Sequence, residues 1–201
     1  MTARKRSHLP HLSFCLIAAL AAPAAHAANL IKDGSFESPV VAPGGFDDFS
    51  TGQSFSKWTV VGVTGDVAVV SGSFTQNGIT FPAKAGGQWL DLTGFLSDNA
   101  TGVQQIVGTT AGQNYLLKFS VGNVVDPNNV FGTTSTVDVF VDGVHRMSAV
   151  NAAGNATTMT WKSFRLAFAA ASSQTTIAFI NGDPAGDNVN GLDAVSLALR
   201  P

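Results

Sequence analysis

Glutamate, tyrosine and cysteine are almost missing from this sequence: its 201 residues include one Cys, one Tyr and a single Glu, at position 37. Charge of either sign is scarce, at 12% of residues against about 25% in typical domains. The one thiol, Cys15, falls in an N-terminal stretch with the layout of an export signal. Arg4, Lys5 and Arg6 give a basic start, Leu12 to Ala22 an apolar run of 11 residues, and Ala25-His26-Ala27 a small-x-small cleavage pattern. That run is too short for a bilayer, which takes about 20 apolar residues. Residues 1–27 are therefore read as a signal peptide and 28–201 as the mature chain. Losing three of the 11 basic residues leaves 8 against 13 acidic ones, a formal charge of −5, with no Cys and with His145 as the sole imidazole. Disulfides, a thiolate nucleophile and a Cys/His zinc site are excluded. Binding to a phosphate backbone, which needs clustered Lys and Arg, is excluded as well. No later hydrophobic stretch is long enough to cross a membrane. The expectation is a secreted monomer, extracellular or periplasmic, with no nucleic-acid partner and no membrane span.

What the chain does have is glycine (21 residues), phenylalanine (14) and period-two alternation. Tyr115, Leu117, Phe119 and Val121 alternate with Leu116, Lys118 and Ser120, as in a strand with one buried face. Val137, Val139 and Val141 do the same and run into Asp142-Gly143, a two-residue hairpin turn. Phe164, Leu166 and Phe168 repeat the pattern, as do Ile177 with Phe179, and Val195 with Leu197 and Leu199. Turn clusters separate these runs, among them Ala42-Pro43-Gly44-Gly45, Asn77-Gly78, Asp126-Pro127-Asn128-Asn129 and Asn181-Gly182-Asp183-Pro184. About ten short strands with no helical stretch predict an all-β fold, a two-sheet antiparallel sandwich in one domain spanning 28–201. Val40 to Ser56 reads as a surface loop.

Three motifs carry a family resemblance. Asn29-Leu30-Ile31-Lys32-Asp33-Gly34-Ser35-Phe36-Glu37 opens the mature chain. Gly87-Gln88-Trp89-Leu90-Asp91-Leu92-Thr93-Gly94 lies in the middle, and Leu192-Asp193-Ala194-Val195-Ser196-Leu197 closes it. In this order they resemble carbohydrate-binding modules of the galactose-binding-like jelly-roll fold. More narrowly, they resemble the secreted family called domain of unknown function 642, known from plant cell walls and from bacteria. The resemblance implies that the first and last strands lie together with a structural Ca²⁺ between them. Glu37 and Asp193 would then be its carboxylate ligands, and carbonyls near Asp33 and Lys57 would complete the shell of six to eight oxygens. The alternative is that both are strand-end carboxylates that bind nothing. The oxygen-rich loop Asp183–Gly191 reads as a turn, because Val189 breaks the ligand order of an EF-hand.

A sugar site needs an aromatic face and a few placed polar groups. Alternation puts Leu90 and Leu92 on one face and Trp89, Asp91 and Thr93 on the other, an aromatic beside a carboxylate acceptor. Trp89 either presents that face to a ligand or packs beneath a loop. Gln104, Gln105 and Asn123 are candidate amide partners. Trp58 and Tyr115 read as core, and Trp161 as either core or surface. For catalysis, His145 just past a turn reads as a solvated residue. A carboxylate pair for glycoside hydrolysis is not placed by spacing, although Asp91 with Asp138 across the sheet is conceivable. Asn99-Ala100-Thr101 and Asn155-Ala156-Thr157 read as chance matches to the glycosylation pattern. The expected function is non-catalytic binding of a cell-wall or extracellular polysaccharide. A structural or adhesive matrix protein is the alternative, and a glycoside hydrolase the third reading.

Overall fold

The computed structural model describes residues 28–95, 100–126, 130–184 and 189–200. Among these no helix occurs, so none is long and apolar enough to cross a membrane. Fourteen strands form: β1 (Phe46–Ser50), β2 (Ser54–Phe55), β3 (Trp58–Val61), β4 (Asp66–Ser71), β5 (Thr75–Gln76), β6 (Ile79–Thr80) and β7 (Gln88–Asp91). They continue with β8 (Gly102–Gly108), β9 (Asn114–Asn123), β10 (Ser135–Val141), β11 (Val144–Asn151), β12 (Thr160–Ala169), β13 (Gln174–Asn181) and β14 (Gly191–Leu199). The first sheet has the order β1-β4-β7-β14-β9-β12 and the second β11-β10-β13-β8-β3-β2, and β5-β6 is a separate hairpin. Every pairing within these sheets is antiparallel. The all-β jelly-roll sandwich expected from the sequence is therefore the fold observed.

The alternating residues meet between the sheets. Val67, Val69, Leu90, Leu92, Leu117, Phe119, Val121 and Leu197 of the first layer pack against Trp58, Val60, Val103, Val137, Val139, Ile177 and Phe179 of the second. Burying one such side chain is worth roughly 1.5–3 kcal/mol, so this interface is the main source of stability in a chain without disulfides. Trp58 and Tyr115 lie in it, as expected. Asp142-Gly143 and Asn77-Gly78 both turn with positive φ, at 51° and 75° and at 52° and 78°, which closes the β10–β11 and β5–β6 hairpins.

Val40 to Ser56 is not a plain surface loop. Phe46-Asp47-Asp48-Phe49-Ser50 forms the edge strand β1, paired with β4. Phe49 alone of this edge strand packs on the core, so the strand left no alternating apolar signature.

The chain ends are stitched as the opening and closing motifs implied. Leu30 N–H donates to the Leu197 carbonyl (2.8 Å), Val195 N–H to the Gly34 carbonyl (2.8 Å) and Leu197 N–H to Asn29 Oδ1 (2.9 Å). Only glycine fits at 34, because a Cβ there would stand 2.0 Å from the Val195 carbonyl oxygen. The opening segment is also tied to the second sheet. Gln105, buried on β8, accepts from Lys32 N–H (2.8 Å) and donates to the Lys32 carbonyl (3.0 Å). Gln105→Ala should cost about 1–3 kcal/mol by leaving those backbone groups unpaired. Denaturant unfolding measures the loss, and faster amide exchange at Lys32 would localise it.

Candidate functional site

The outer face of the first sheet is covered. One register row crosses it as Asp48, Ala68, Asp91, Gly191, Gly122 and Trp161, with Phe46, Val70 and Trp89 in the next row. Gly191 and Gly122 leave the space that the Trp161 ring fills, since a Cβ on either would come within 3.1 Å of it. Trp161 meets Trp89 edge to face, with centroids 6.2 Å apart. Above them runs the segment that carries the β5–β6 hairpin. Trp89 Nε1–H donates to the Phe81 carbonyl (3.1 Å) and Trp161 Nε1–H to the Pro82 carbonyl (2.9 Å). Thr80 N–H donates to the Thr157 carbonyl (3.0 Å) and Met159 N–H to the Thr80 carbonyl (2.8 Å), which fixes the other side of this cover. Ala68, Val70, Ile79, Phe81, Trp89, Val124, Phe131, Met159 and Val189 form a second apolar cluster beneath it.

The cover stops short of the β1 edge and leaves a cleft of about 580 Å³. Phe46, Phe74, Phe81, Phe95 and Phe131 wall it, and Trp89 and Asp91 form its floor with Asp48, Thr75 and Gln76 at the sides. Phe95 is 71% exposed and stacks on Phe46 at 6.4 Å, so one wall is an open aromatic surface.

Asp91 is 9% exposed. Its Oδ1 accepts from Thr93 N–H (3.1 Å), Thr93 Oγ1–H (2.8 Å) and Asn190 N–H (3.1 Å). Its Oδ2 takes no hydrogen bond from any described residue, and the side chain lines the cleft. Burial pushes Asp91 up to about 6 against the pull of those donors, and the charge of Asp48 adds to the rise. Asp48 is itself raised, first by burial and then by the charges of Asp66 and Asp47.

The residues named from the sequence separate here. Trp89 and Asp91 do share the cleft, but Trp89 is 1% exposed and packs beneath the cover; it supplies the floor, not an open platform. Gln104, half-buried on β8, and Gln105 belong to the second sheet and do not reach the cleft. Asn123 is buried at the end of β9, where it donates to the Thr133 and Ala153 carbonyls and accepts from Ser135 Oγ. Both Gln105 and Asn123 have their amides committed to holding backbone or core, which corrects their reading as ligand partners. Asp91 and Asp138 lie on different sheets, so they do not form a pair. The residues missed were Phe46, Asp48, Phe74, Gln76, Phe95 and Phe131. Their one signal was phenylalanine in turn-rich segments without alternation, where no strand face accounts for burying it.

Glu37 and Asp193 come together, but around backbone amides. Glu37 Oε1 accepts from Gly87 and Gln88 N–H (3.0 and 3.1 Å), and Asp193 Oδ2 from Lys84 and Ala85 N–H (2.7 and 2.8 Å). Asp193 Oδ1 accepts from Ala194 N–H, and the Asp33 carbonyl is taken by Trp58 Nε1–H. Asp33 Oδ2 is buried without a partner, yet no group of three acidic or imidazole side chains comes together among the described residues. A cation between Glu37 and Asp193 would face the positive ends of four amide dipoles, so the expected calcium does not fit this arrangement. The pair instead anchors the 84–88 turn, which closes the cover. The Asp183–Gly191 loop lies partly outside the described residues, as does Asn99; the signal peptide lies wholly outside.

A second polar cluster sits on the far sheet. Ser148 Oγ, His145 Nε2 and Asp138 Oδ1 meet within 3.3 Å. Serine and carboxylate share one ring nitrogen and the hydroxyl donates to Asp138, so no relay through the imidazole exists. His145 is an exposed surface residue, as read from the sequence.

The architecture is thus a jelly-roll sandwich with an aromatic cleft on one outer face. Residues 29–197 match the family model DUF642, described as a protein of unknown function, and the chain belongs to that family. No curated protein matches the chain. A family 35 carbohydrate-binding module from Clostridium thermocellum is similar in structure at TM-score 0.47 and 11% identity, over 75% of this chain and 97% of the module. An isomalto-dextranase of Arthrobacter globiformis T6, complexed with panose, is similar at TM-score 0.47 and 16% identity, over 76% of this chain and 23% of the enzyme. The C-terminal sugar-binding domain of EclA is similar at TM-score 0.38 and 18% identity, over 47% of this chain and 64% of that one. The chain therefore spans less than two thirds of the last two proteins.

Two predictions follow from the carboxylates. Asp193, like Asp91, is raised to about 6, chiefly by burial, with the charge of Glu37 adding to the rise and the amides of Ala85, Ala194 and Lys84 opposing it. An acid whose folded pKa exceeds its unfolded value of 3.8 binds its proton more tightly when folded. Its stabilising contribution is therefore full in acid and is lost as pH rises through about 6. The melting temperature should be higher near pH 5 than at pH 7, and Asp91→Asn should flatten that slope. Chelator should leave melting unchanged, whereas a fall in melting temperature would restore the calcium reading.

Proposed function

We propose that this protein is exported and binds a saccharide in the cleft on the outer face of its first sheet, without chemistry. One observation carries the reading: an aromatic-walled cleft of about 580 Å³ whose floor holds a buried carboxylate with one oxygen unclaimed. That volume lies within the range of small-ligand sites, about 300–1,000 Å³. Sugar rings present C–H faces that stack on aromatic surfaces and hydroxyls that donate to a carboxylate. Phe95 and Phe46 supply the first and Asp91 Oδ2 the second. The floor and one side come from β1, β4, β7 and the cover, and the loop residues Phe95, Phe131 and Val189 complete the walls.

Soluble cell-wall oligosaccharides should change the emission of Trp89, and Phe95→Ala should weaken binding about tenfold, the loss expected for one exposed aromatic contact. Unchanged emission with every glycan, together with no retention on insoluble cellulose, chitin or pectin, would contradict the reading.

A second reading is favoured by one feature. Asp48 and Asp91 flank Ala68 in the same row, two strand spacings or roughly 10 Å apart at Cα, and both are raised. Inverting glycosidases place their carboxyl groups about 6.5–9.5 Å apart with one acid raised. Reducing sugar released on long incubation, and abolished by Asp91→Asn, would establish hydrolysis; its absence leaves binding alone.

A further inference from the structure

The charges around the cleft are one-sided. Asp48 and Asp91 line it, and Asp66 stands behind them with Oδ1 accepting from Phe95 N–H (3.1 Å). No Lys, Arg or His lines it among the described residues. Phenylalanines make up most of the walls, and an aromatic face attracts a cation through the ring quadrupole. Asp91 is nine-tenths buried with an oxygen unclaimed, and so is a charge that lacks a counter-charge.

From this juxtaposition we propose that the cleft selects a cationic saccharide, an oligomer of 2-amino-2-deoxy sugar whose protonated amine is held by Asp91 and Asp48 beneath the phenylalanine wall. The proposal rests on reading the cleft as a saccharide site and adds the ligand's charge. A neutral hydroxyl satisfies the lone pair on Asp91 Oδ2 but leaves its charge uncompensated, whereas an ammonium makes a charge-assisted bond, roughly twice as strong. A uronic acid would bring a third carboxylate beside two others and be repelled. Burial first, and then the neighbouring acidic charges, raise the proton affinities of Asp91 and Asp48. The amine replaces what burial has removed, and the sugar ring stacks on Phe95.

The test is calorimetric titration of the protein with β-1,4-linked glucosamine oligosaccharides, with their N-acetylated counterparts, and with galacturonate oligosaccharides. N-acetylation keeps the ring and removes the charge. Glucosamine oligomers should bind at least about tenfold more tightly than acetylated ones, with affinity falling as salt rises, and galacturonate should bind least. Asp48→Asn should erase most of that preference, and so should Asp91→Asn if it folds. Asp138→Asn, a charge change on the far sheet, should leave the preference intact, which separates a site from general attraction to an acidic protein. Equal binding of the amino and acetylated oligomers, tighter galacturonate binding, or a preference lost in Asp138→Asn but kept in Asp48→Asn would each overturn the charge inference while leaving a saccharide site. Binding of none of the three would overturn both.

Discussion

Two indole N–H groups fasten one piece of chain over a sheet face that would otherwise meet water. Trp89 donates to the Phe81 carbonyl and Trp161 to that of the next residue, Pro82. A buried indole needs an acceptor, and a carbonyl in an irregular segment needs a donor; each removes the other's desolvation cost. Because the two tryptophans stand on β7 and β12, with Gly191 and Gly122 between them, the anchors span the strands from β7 to the β12 edge. The cover is thereby held at fixed height, and its edge along β1 becomes the lip of the cleft.

Electrostatics reinforces the same segment. Glu37 from the opening motif and Asp193 from the closing one both terminate on amides of residues 84–88. Gln88 adds a third tie, accepting from Val41 N–H and donating to the Phe36 and Pro39 carbonyls. The stitched chain ends, the cover and the cleft floor on β7 are consequently one mechanical unit. Asp193 is buried there and Glu37 half-buried, and backbone N–H groups satisfy both in place of basic side chains. Asp91 differs in keeping one oxygen for the cleft.

The sandwich core was readable because its strands alternate: Tyr115 to Val121, Val137 to Val141 and Ile177 with Phe179 all point inward as their spacing indicated. Edge strand β1 was not readable, since neither of its faces is buried deeply enough to impose a period. Trp89 shows a different limit. Period two correctly separated it from Leu90 and Leu92, but whether the other face meets solvent depends on a segment that packs back from residues 74–83, and no local pattern encodes that. The nearness of Glu37 and Asp193 followed from the motifs, while their partners did not: backbone amides carry no mark in a sequence, so two carboxylates read as readily as cation ligands. Gln105 and Asn123 illustrate the same ambiguity, amides suited to a sugar and employed instead on the protein's own backbone.

The account stands or falls on where a saccharide touches the protein. Nuclear magnetic resonance gives that directly, because Trp89 lines the cleft and Trp58 and Trp161 do not, so the indole signal of Trp89 alone reports on it. Titration with a bound oligosaccharide should shift the Trp89 indole signal and the amides of Phe95, Phe46 and Gln76, while β10, β13 and β8 stay still. Shifts confined to the second sheet, with the Trp89 indole unmoved, would contradict it.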